Sequence, residues 1–226
     1  MRLLVSVRDA REAQAAVRGG AEIVDAKEPR RGALGPVTAR TLAAIRAAVP
    51  TGIPVSAALG DAGAERAVPR GVAYVKVGLR DVSGVRHARA LVHWAAQRAA
   101  EGGAELVLVA YADASRARSV PPLAVLDIAA VAGARGVLLD TAFKNRGSLF
   151  DLLDVTCVTQ WLAAARAAGL FTALAGSLDG PGLRTAFGLG ADIVGVRGAA
   201  CDGGRTGRVS VTRVAALSAL VTTAVA

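Results

Sequence analysis

Short runs of β-branched and other apolar residues alternate along this chain with longer stretches rich in Ala, Leu and Arg. Short apolar runs are typical of strands buried on both faces, whereas the longer stretches carry apolar residues at helical spacing. The pattern predicts eight strands, at residues 3–7, 22–27, 54–60, 73–78, 105–113, 136–143, 171–176 and 192–198. It predicts helices between nearly all of them, at residues 9–18, 37–48, 81–100, 121–132, 148–168, 180–189 and 209–225.

The third strand is the exception to this alternation. Only residues 61–72 separate it from the fourth strand, which leaves space for at most a short helix before Pro69. Alternating βα units without a Pro- or Ser-rich linker predict one domain over residues 1–226, an α/β fold of the (β/α)₈ TIM-barrel type with a shortened third βα unit. A doubly wound sheet is the competing architecture, and the lack of a GxGxxG motif after the first strand argues weakly against it.

Composition and charge narrow the class of ligand. Hydrophobic residues make up 53% of the chain and aromatic residues 4%, so the core must consist mainly of Ala, Val, Leu and Ile. The formal net charge is +9, which favours either nucleic acid or a small anion such as a phosphorylated metabolite. The arginines are scattered and aromatic residues are too sparse for a base-stacking surface, so we expect a small phosphorylated ligand and no nucleic acid.

Cysteine spacing and the chain ends bear on cellular context. Cys157 and Cys201 lie far apart without a CxxC spacing, so we expect no disulfide framework, no zinc site and no cofactor. The start of the chain runs from a short apolar strand into a charged helix without a signal-peptide core. The apolar stretch 214–226 is shorter than the roughly 20 residues that cross a bilayer. We therefore expect a cytoplasmic protein without a membrane partner.

Lysine is scarce in this arginine-rich chain. There are 24 arginines but only three lysines, Lys27, Lys76 and Lys144, each at the end of a predicted strand. Arginine stays charged, whereas a primary amine can lose its proton near neutral pH, attack a carbonyl and form an imine. The positions indicate amine chemistry, although an arginine bias alone would also leave a few lysines behind.

Active sites of (β/α)₈ barrels lie at the C-terminal ends of the strands. Strand alternation places Asp25 and Lys27 on the same side of their strand, as it does Tyr74, Lys76 and Gly78 on theirs. Burial and a neighbouring cation lower the pKa of a lysine, so a neutral nucleophile is expected here, with Asp25 or Asp140 balancing the second amine. The alternative is a buried Lys–Asp ion pair without chemistry. The predicted polar rim comprises Asp25, Lys27, Ser56, Asp61, Lys76, Tyr111, Asp113, Asp140 and Lys144.

Strands seven and eight end differently, in the small-residue segments 175–177 and 195–201. Exposed backbone amides of such segments can hold a phosphate at the usual barrel position. Arg205 and Arg208 in the following loop can serve as phosphate ligands as well as Arg197. Cys201 is interpreted as a packed thiol, and His87 and His93 as helix residues away from the rim. The predicted phosphate-binding residues are Gly176, Ser177, Arg197, Gly198 and Ala199.

Several segments, among them DAKEPRRGALG, YVKVGL, LLDTAFK and GVRGAAC, resemble the (5-formylfuran-3-yl)methyl phosphate synthase family, also called 4-(hydroxymethyl)-2-furancarboxaldehyde-phosphate synthases. The resemblance runs nearly end to end, and the chain departs from the family pattern in its short third βα unit. It implies a (β/α)₈ lyase that joins two molecules of glyceraldehyde 3-phosphate, loses phosphate and water, and leaves a phosphorylated furan aldehyde. Such furans feed methanofuran-type one-carbon carriers.

The resemblance also implies roles for individual residues. The lysine of DAK, Lys27, would form the Schiff base, and the lysine of YVKVGL, Lys76, would act as acid and base, while LLDTAFK supplies Asp140 and Lys144. Spacing alone leaves the imine open to Lys27 or Lys76. A class I aldolase acting on a sugar phosphate and an enzyme of furan secondary metabolism remain alternatives. We expect a homo-oligomer.

Overall fold

The computed structural model of the protein describes residues 1–63 and 68–222. Eight parallel strands close into a barrel in chain order, and the last strand pairs with the first, Val194 opposite Leu3. The predicted (β/α)₈ barrel is therefore confirmed. The strands are β1 (Arg2–Val7), β2 (Ile23–Ala26), β3 (Val55–Asp61), β4 (Tyr74–Gly78), β5 (Glu105–Tyr111), β6 (Gly136–Asp140), β7 (Phe171–Leu174) and β8 (Ile193–Val196).

Helices cover the outside of the barrel and begin at recognisable caps. Asp9 and Thr38, for example, each accept a hydrogen bond from the backbone N–H three residues later, which satisfies a free donor of the first turn. Within the described residues, no helix is both long and apolar enough to cross a membrane. The helices are α1 (Ala10–Arg18), α2 (Ala39–Ala48), α3 (Val85–Glu101), α4 (Pro122–Val131), α5 (Leu149–Leu152), α6 (Val155–Ala167), α7 (Gly180–Gly188) and α8 (Val211–Thr222).

Several predicted helices differ from the observed ones; α2 begins at Ala39 instead of residue 37, and α3 begins at Val85 instead of residue 81. The stretch 148–168 forms two helices, because Asp154 is extended and its side chain caps α6 by accepting from the Cys157 N–H at 2.9 Å. The last helix begins two residues later than predicted, because Arg208–Val209 (β10) pairs antiparallel with Cys201–Asp202 (β9). The predicted end of this helix, residues 223–225, lies outside the described residues.

The third βα unit is short, as predicted. In the described residues between β3 and β4, which are 62–63 and 68–73, no helix is found. The short helix predicted before Pro69 falls mostly on residues 64–67, which lie outside the described part of the chain.

Side chains of the strands alternate between two cores. Leu3, Val5 and Val7 of β1 are completely buried between barrel and helices, whereas Leu4 belongs to a separate cluster inside the barrel. Ser6, also on β1, points into the barrel as well, where it bonds Asp25. Most side chains that point into the barrel are small or aliphatic. They do not fill the interior completely, so a cavity remains at the mouth.

The N-terminal end of the barrel is closed by an aromatic pair. The rings of Tyr74 and Phe171 meet edge to face, with their centroids 5.6 Å apart. Gly136 lies beside them on β6, and a Cβ atom there would come within 2.4 Å of Phe171 Cδ2. Only glycine leaves the Phe171 ring its place.

We expect Gly136→Ala to lower the free energy of unfolding by about 1–3 kcal/mol, because the methyl group overpacks a closed core. Urea denaturation followed by circular dichroism measures the change. Gly188→Ala, at the end of α7 with no heavy atom within 4 Å of the added Cβ, is the matched control and should leave stability unchanged or slightly higher. Equal stabilities for both variants would contradict this account of the barrel floor.

Candidate active site

A buried carboxylate organises the polar side of the barrel interior. Asp25 is completely buried and accepts hydrogen bonds from Ser6 Oγ at 2.9 Å and Ser56 Oγ at 2.7 Å. Its Oδ2 atom lies 2.7 Å from Lys76 Nζ. Because these four residues come from β1, β2, β3 and β4, alternation on adjacent strands brings them to one level of the lumen.

The charges of this cluster are mutually dependent. Burial opposes ionisation of Asp25, but the ammonium groups of Lys76 and Lys27 and the hydrogen bonds outweigh it, so the pKa of Asp25 is lowered from 3.8. Asp25 therefore stays a carboxylate and holds Lys76 as its ion-pair partner.

Lys27 follows β2 directly and lies one level nearer the mouth than Asp25. Its side chain is buried, and its Nζ forms no hydrogen bond or ion pair with the described residues. Burial, and next the neighbouring Lys76 ammonium, lower the pKa of Lys27 from 10.5 to about 7, against the opposing effect of Asp25 and Asp140. The structure thus separates two amines that sequence spacing leaves equivalent: Lys76 is paired, and Lys27 has a large neutral fraction near pH 7.

A second ion pair, between Asp140 and Lys144, lies on the other side of the lumen. Lys144 Nζ donates to Asp140 Oδ1 and, at 3.2 Å, to Thr141 Oγ1. Burial disfavours the charged form of both partners. At Lys144 burial has the largest effect and lowers the pKa. At Asp140 the ammonium groups of Lys144 and Lys27 outweigh burial, so the pKa of this carboxyl is lowered as well.

The loop that carries Lys144 is fixed by a third carboxylate, Asp113. Its two oxygens accept the Ala142 N–H at 2.7 Å and the Phe143 N–H at 3.0 Å. Asp113 was predicted at the rim, and the structure places it there as a support for the loop after β6.

The loops after β7 and β8 present backbone donors. Ser177 has a φ of 53°, and Gly176 has a φ of 109° with Thr141 Cγ2 only 3.0 Å from where its Cβ would be. Within the described part of the chain, the N–H groups of Gly176, Ser177, Gly198 and Ala199 have no acceptor. We call these four amides the amide cradle. Such converging N–H groups suit a phosphate.

The predicted site residues meet at one cavity of about 300 Å³ at the barrel mouth. Asp25 lies beneath it, sealed off by its partners. The predicted residues and candidates that line the cavity are Lys27, Ser56, Lys76, Asp140, Lys144, Gly176, Ser177, Arg197, Gly198, Ala199 and Arg205.

The side chain of Arg197 serves a purpose other than the predicted phosphate contact. Its guanidinium is buried against Glu12, with Nη1 2.7 Å and Nη2 3.3 Å from the two carboxylate oxygens. The remaining N–H groups donate to the carbonyls of Ser6, Arg205 and Gly207. All five guanidinium donors thus have protein acceptors, so the geometry favours a structural role for this side chain.

Glu12 is a residue that sequence reasoning did not single out. It follows the Asp9 cap on α1, where an acidic residue is expected in any case, and nothing local marks it as buried. Its two carboxylate oxygens also bind the Arg8 side chain at 3.1 Å and the Arg8 N–H at 3.0 Å.

Other candidates lie away from the cavity. Cys201 is buried, and burial raises the pKa of its thiol, as suits a packed side chain. Arg208 forms an exposed ion pair with Asp9. His87 and His93 are exposed on α3. Among the described residues, no group of three or more His, Cys, Asp or Glu side chains is placed to hold a metal ion.

Asp61 and Tyr111 also lie outside the cavity lining. The Tyr111 hydroxyl donates to Asp61 Oδ1 at 2.6 Å, and the Arg80 N–H donates to the same atom at 3.0 Å. These predicted rim residues therefore hold β3, β4 and β5 together behind the site.

The fold and the site define a (β/α)₈-barrel enzyme with buried lysines at its mouth. Solved structures with the same fold include a 3-hexulose-6-phosphate synthase, with a TM-score of 0.67, 17% identity and 100% of both chains covered. Another is the phosphoribosyl anthranilate isomerase of Thermus thermophilus, with a TM-score of 0.64, 13% identity, and 99% of this chain and 100% of that chain covered. At such identities the likeness shows the fold alone.

Sequence comparison shows the family. A sequence model of the 4-HFC-P synthase family matches residues 3–218. The (5-formylfuran-3-yl)methyl phosphate synthase of Methanothermobacter thermautotrophicus is 38% identical over 222 residues, covering 92% of this chain and 94% of the relative. The synthase of the same name from Methanocaldococcus jannaschii is 39% identical over 215 residues, covering 90% and 92%. The chain belongs to the 4-HFC-P synthase family and is an enzyme, as the resemblance indicated.

The lowered pKa of Lys27 predicts a titration that can be measured directly. Reductive ¹³C-methylation followed by NMR should show one lysine signal with a midpoint near pH 7, identified by its loss in Lys27→Arg. As pH rises through this value the ammonium loses its proton, so imine formation with a small aldehyde should rise over the same range. A Lys27 midpoint at the free value of about 10.4 would contradict the geometry described above.

Proposed function

We propose that this enzyme joins two molecules of glyceraldehyde 3-phosphate into (5-formylfuran-3-yl)methyl phosphate, with loss of phosphate and water, through a Schiff base on Lys27. The observation that carries the proposal is the difference between the two neighbouring amines. Lys76 has a carboxylate partner 2.7 Å away, whereas Lys27 has none in the described structure and a pKa of about 7. A neutral amine in a cavity is the form that attacks an aldehyde.

The neighbours of Lys27 are suited to the proton transfers that follow. An imine acidifies the adjacent carbon, and the Lys76 ammonium beneath it can supply a proton to the departing oxygen while Asp25 balances the charge. The Asp140–Lys144 pair faces the same cavity from the other side, where it can serve the addition of the second aldehyde and the dehydration.

Recognition of the substrates is supported by charge and by shape. The formal net charge of +9 attracts anionic phosphate esters, and the amide cradle offers donors for one of them. Leu138, Ala173 and Ile193 line the part of the cavity formed by β6, β7 and β8 and leave an apolar surface for a flat furan ring. We place the product at an early step of methanofuran-type cofactor synthesis.

Trapping with borohydride tests the Schiff base. Incubation with glyceraldehyde 3-phosphate and borohydride should leave a reduced adduct on the peptide that contains Lys27, and a parallel sample without borohydride should release inorganic phosphate. Lys27→Arg keeps a long basic side chain but cannot form an imine, so it should lose the adduct and at least about 1000-fold in phosphate release. An adduct on Lys76 in the wild type would contradict the assignment, and an adduct without phosphate release would favour an aldolase.

A second set of variants tests the role of Lys76. Lys76→Met leaves a buried carboxylate unpaired, so Asp25→Asn is combined with it to keep the pair neutral. The double variant should still form some adduct on Lys27 but lose about 100-fold or more in turnover, because proton transfer is removed. Asp25→Asn alone is the matched control for the carboxylate. Full turnover in the folded double variant would exclude Lys76 as the proton-transfer group.

A further inference from the structure

A small hairpin crosses the mouth of the barrel after β8. Its strands are β9 and β10, and its turn contains Gly203 and Gly204, both with positive φ. Gly207 lies so close to Asp202 that a Cβ atom would come within 1.8 Å of the Asp202 carbonyl oxygen. The turn is therefore tightly folded, and Arg205 is at its tip.

The buried ion pair of Arg197 and Glu12 holds this tip from below. Arg197 Nε donates to the Arg205 carbonyl at 2.9 Å, and Arg197 Nη2 donates to the Gly207 carbonyl at 3.2 Å. Both side chains of this ion pair are buried, and Glu12 balances the charge of Arg197. The charge-assisted hydrogen bonds between them fix the Arg197 guanidinium that holds the tip. The backbone from which the Arg205 side chain extends is thus held in place by the protein.

The guanidinium of Arg205 reaches across the mouth to the loop after β2. It donates to the carbonyls of Pro29 and, at 2.8 Å, Gly32. Its other three N–H groups have no acceptor in the described part of the chain, and no described carboxylate lies within ion-pair distance. It lines the cavity and is half-buried.

Arg205 differs from other cationic side chains of the cavity in having no carboxylate partner among the described residues. Lys76, Lys144 and Arg197 also line the cavity, but each has a carboxylate partner, Asp25, Asp140 and Glu12 respectively. Of the arginines that line the cavity in the described structure, Arg205 alone lacks a carboxylate partner. An anion that enters the cavity would therefore meet a half-buried cation with N–H donors left free by the described residues.

We propose that the Arg205 guanidinium, which reaches from beside Gly198 of the amide cradle to the loop after β2, binds a phosphate monoester at a second subsite on the β2 side of the mouth. The assignment to the second aldehyde phosphate rests on the proposed function, since a condensation of two phosphorylated aldehydes brings two phosphate esters to the same cavity. Planar guanidinium donors match phosphate oxygens in a bidentate contact, which the chain has available here.

Calorimetric titration of the purified enzyme with inorganic phosphate tests the subsite without reference to the reaction. The wild type should bind two phosphates per chain, and Arg205→Met should bind one. Arg208→Met is the matched control, because Arg208 lies in the same hairpin but pairs with Asp9 on the surface, and it should bind two. Arg205→Lys keeps a point charge and should retain the second site with about 10-fold weaker binding. Two unchanged sites in folded Arg205→Met would overturn the proposal, as would a single site in the wild type.

Two measurements on Arg205→Met, adduct formation on Lys27 and the rate of phosphate release, distinguish failure of the subsite from failure of the proposed reaction. Reduced adduct on Lys27 should still form, because the first aldehyde binds at the amide cradle, but phosphate release should fall about 10- to 100-fold with the loss of charge-assisted hydrogen bonds. Normal phosphate release in this variant would sink the subsite while leaving the reaction standing. Two phosphate sites of which one is lost in Arg205→Met, without any imine in the wild type, would keep the subsite and reject the reaction.

Discussion

The ion pair between Asp25 and Lys76 determines how the rest of the site behaves. A carboxylate at the centre of a barrel is expensive to bury, and here two serine hydroxyls and one ammonium group meet that cost. Once Lys76 is committed to Asp25, its positive charge acts on the next amine along the lumen. Lys27 has no partner of its own in the described structure, so burial and this neighbouring charge work together on its pKa. The pair beneath therefore favours the neutral form of the amine above.

Arginine and lysine carry different tasks in this protein. Buried Arg197 uses its five fixed donors to join α1, β1 and the hairpin after β8, a role that needs a rigid, permanent cation. The three lysines all line the cavity, and burial lowers the pKa of Lys27 and of Lys144 there, a change that an amine allows more readily than a guanidinium. The few lysines of the sequence thus all lie at the cavity, whereas a structural cation such as Arg197 is an arginine.

The sequence predicts the barrel well because its information is local. Short apolar runs identify all eight strands, and period-two alternation correctly places Asp25, Lys27 and Lys76 toward the lumen. The local hydrophobic pattern contains no information on which distant side chains form ion pairs. Glu12 and Arg197 are 185 positions apart, so neither the ion pair nor the structural role of Arg197 follows from spacing. The break at Asp154 and the hairpin at Cys201 depend likewise on contacts that form only in the folded chain.

Small residues in the barrel interior explain how a chain of 226 residues encloses a cavity of about 300 Å³. Ala173 and Gly195 on β7 and β8 withhold the bulk that larger side chains would put into the lumen, so the apolar part of the cavity stays open. The polar cluster on β1 to β4 fills the opposite part with groups that bond one another. The amide cradle and Arg205 line the mouth, and the Lys27 amine lies deeper, next to the charged Asp25–Lys76 pair. The division of the lumen into a bonded polar half and an open apolar half therefore places the Lys27 amine beside both a charged cluster and free space, as the proposed condensation requires.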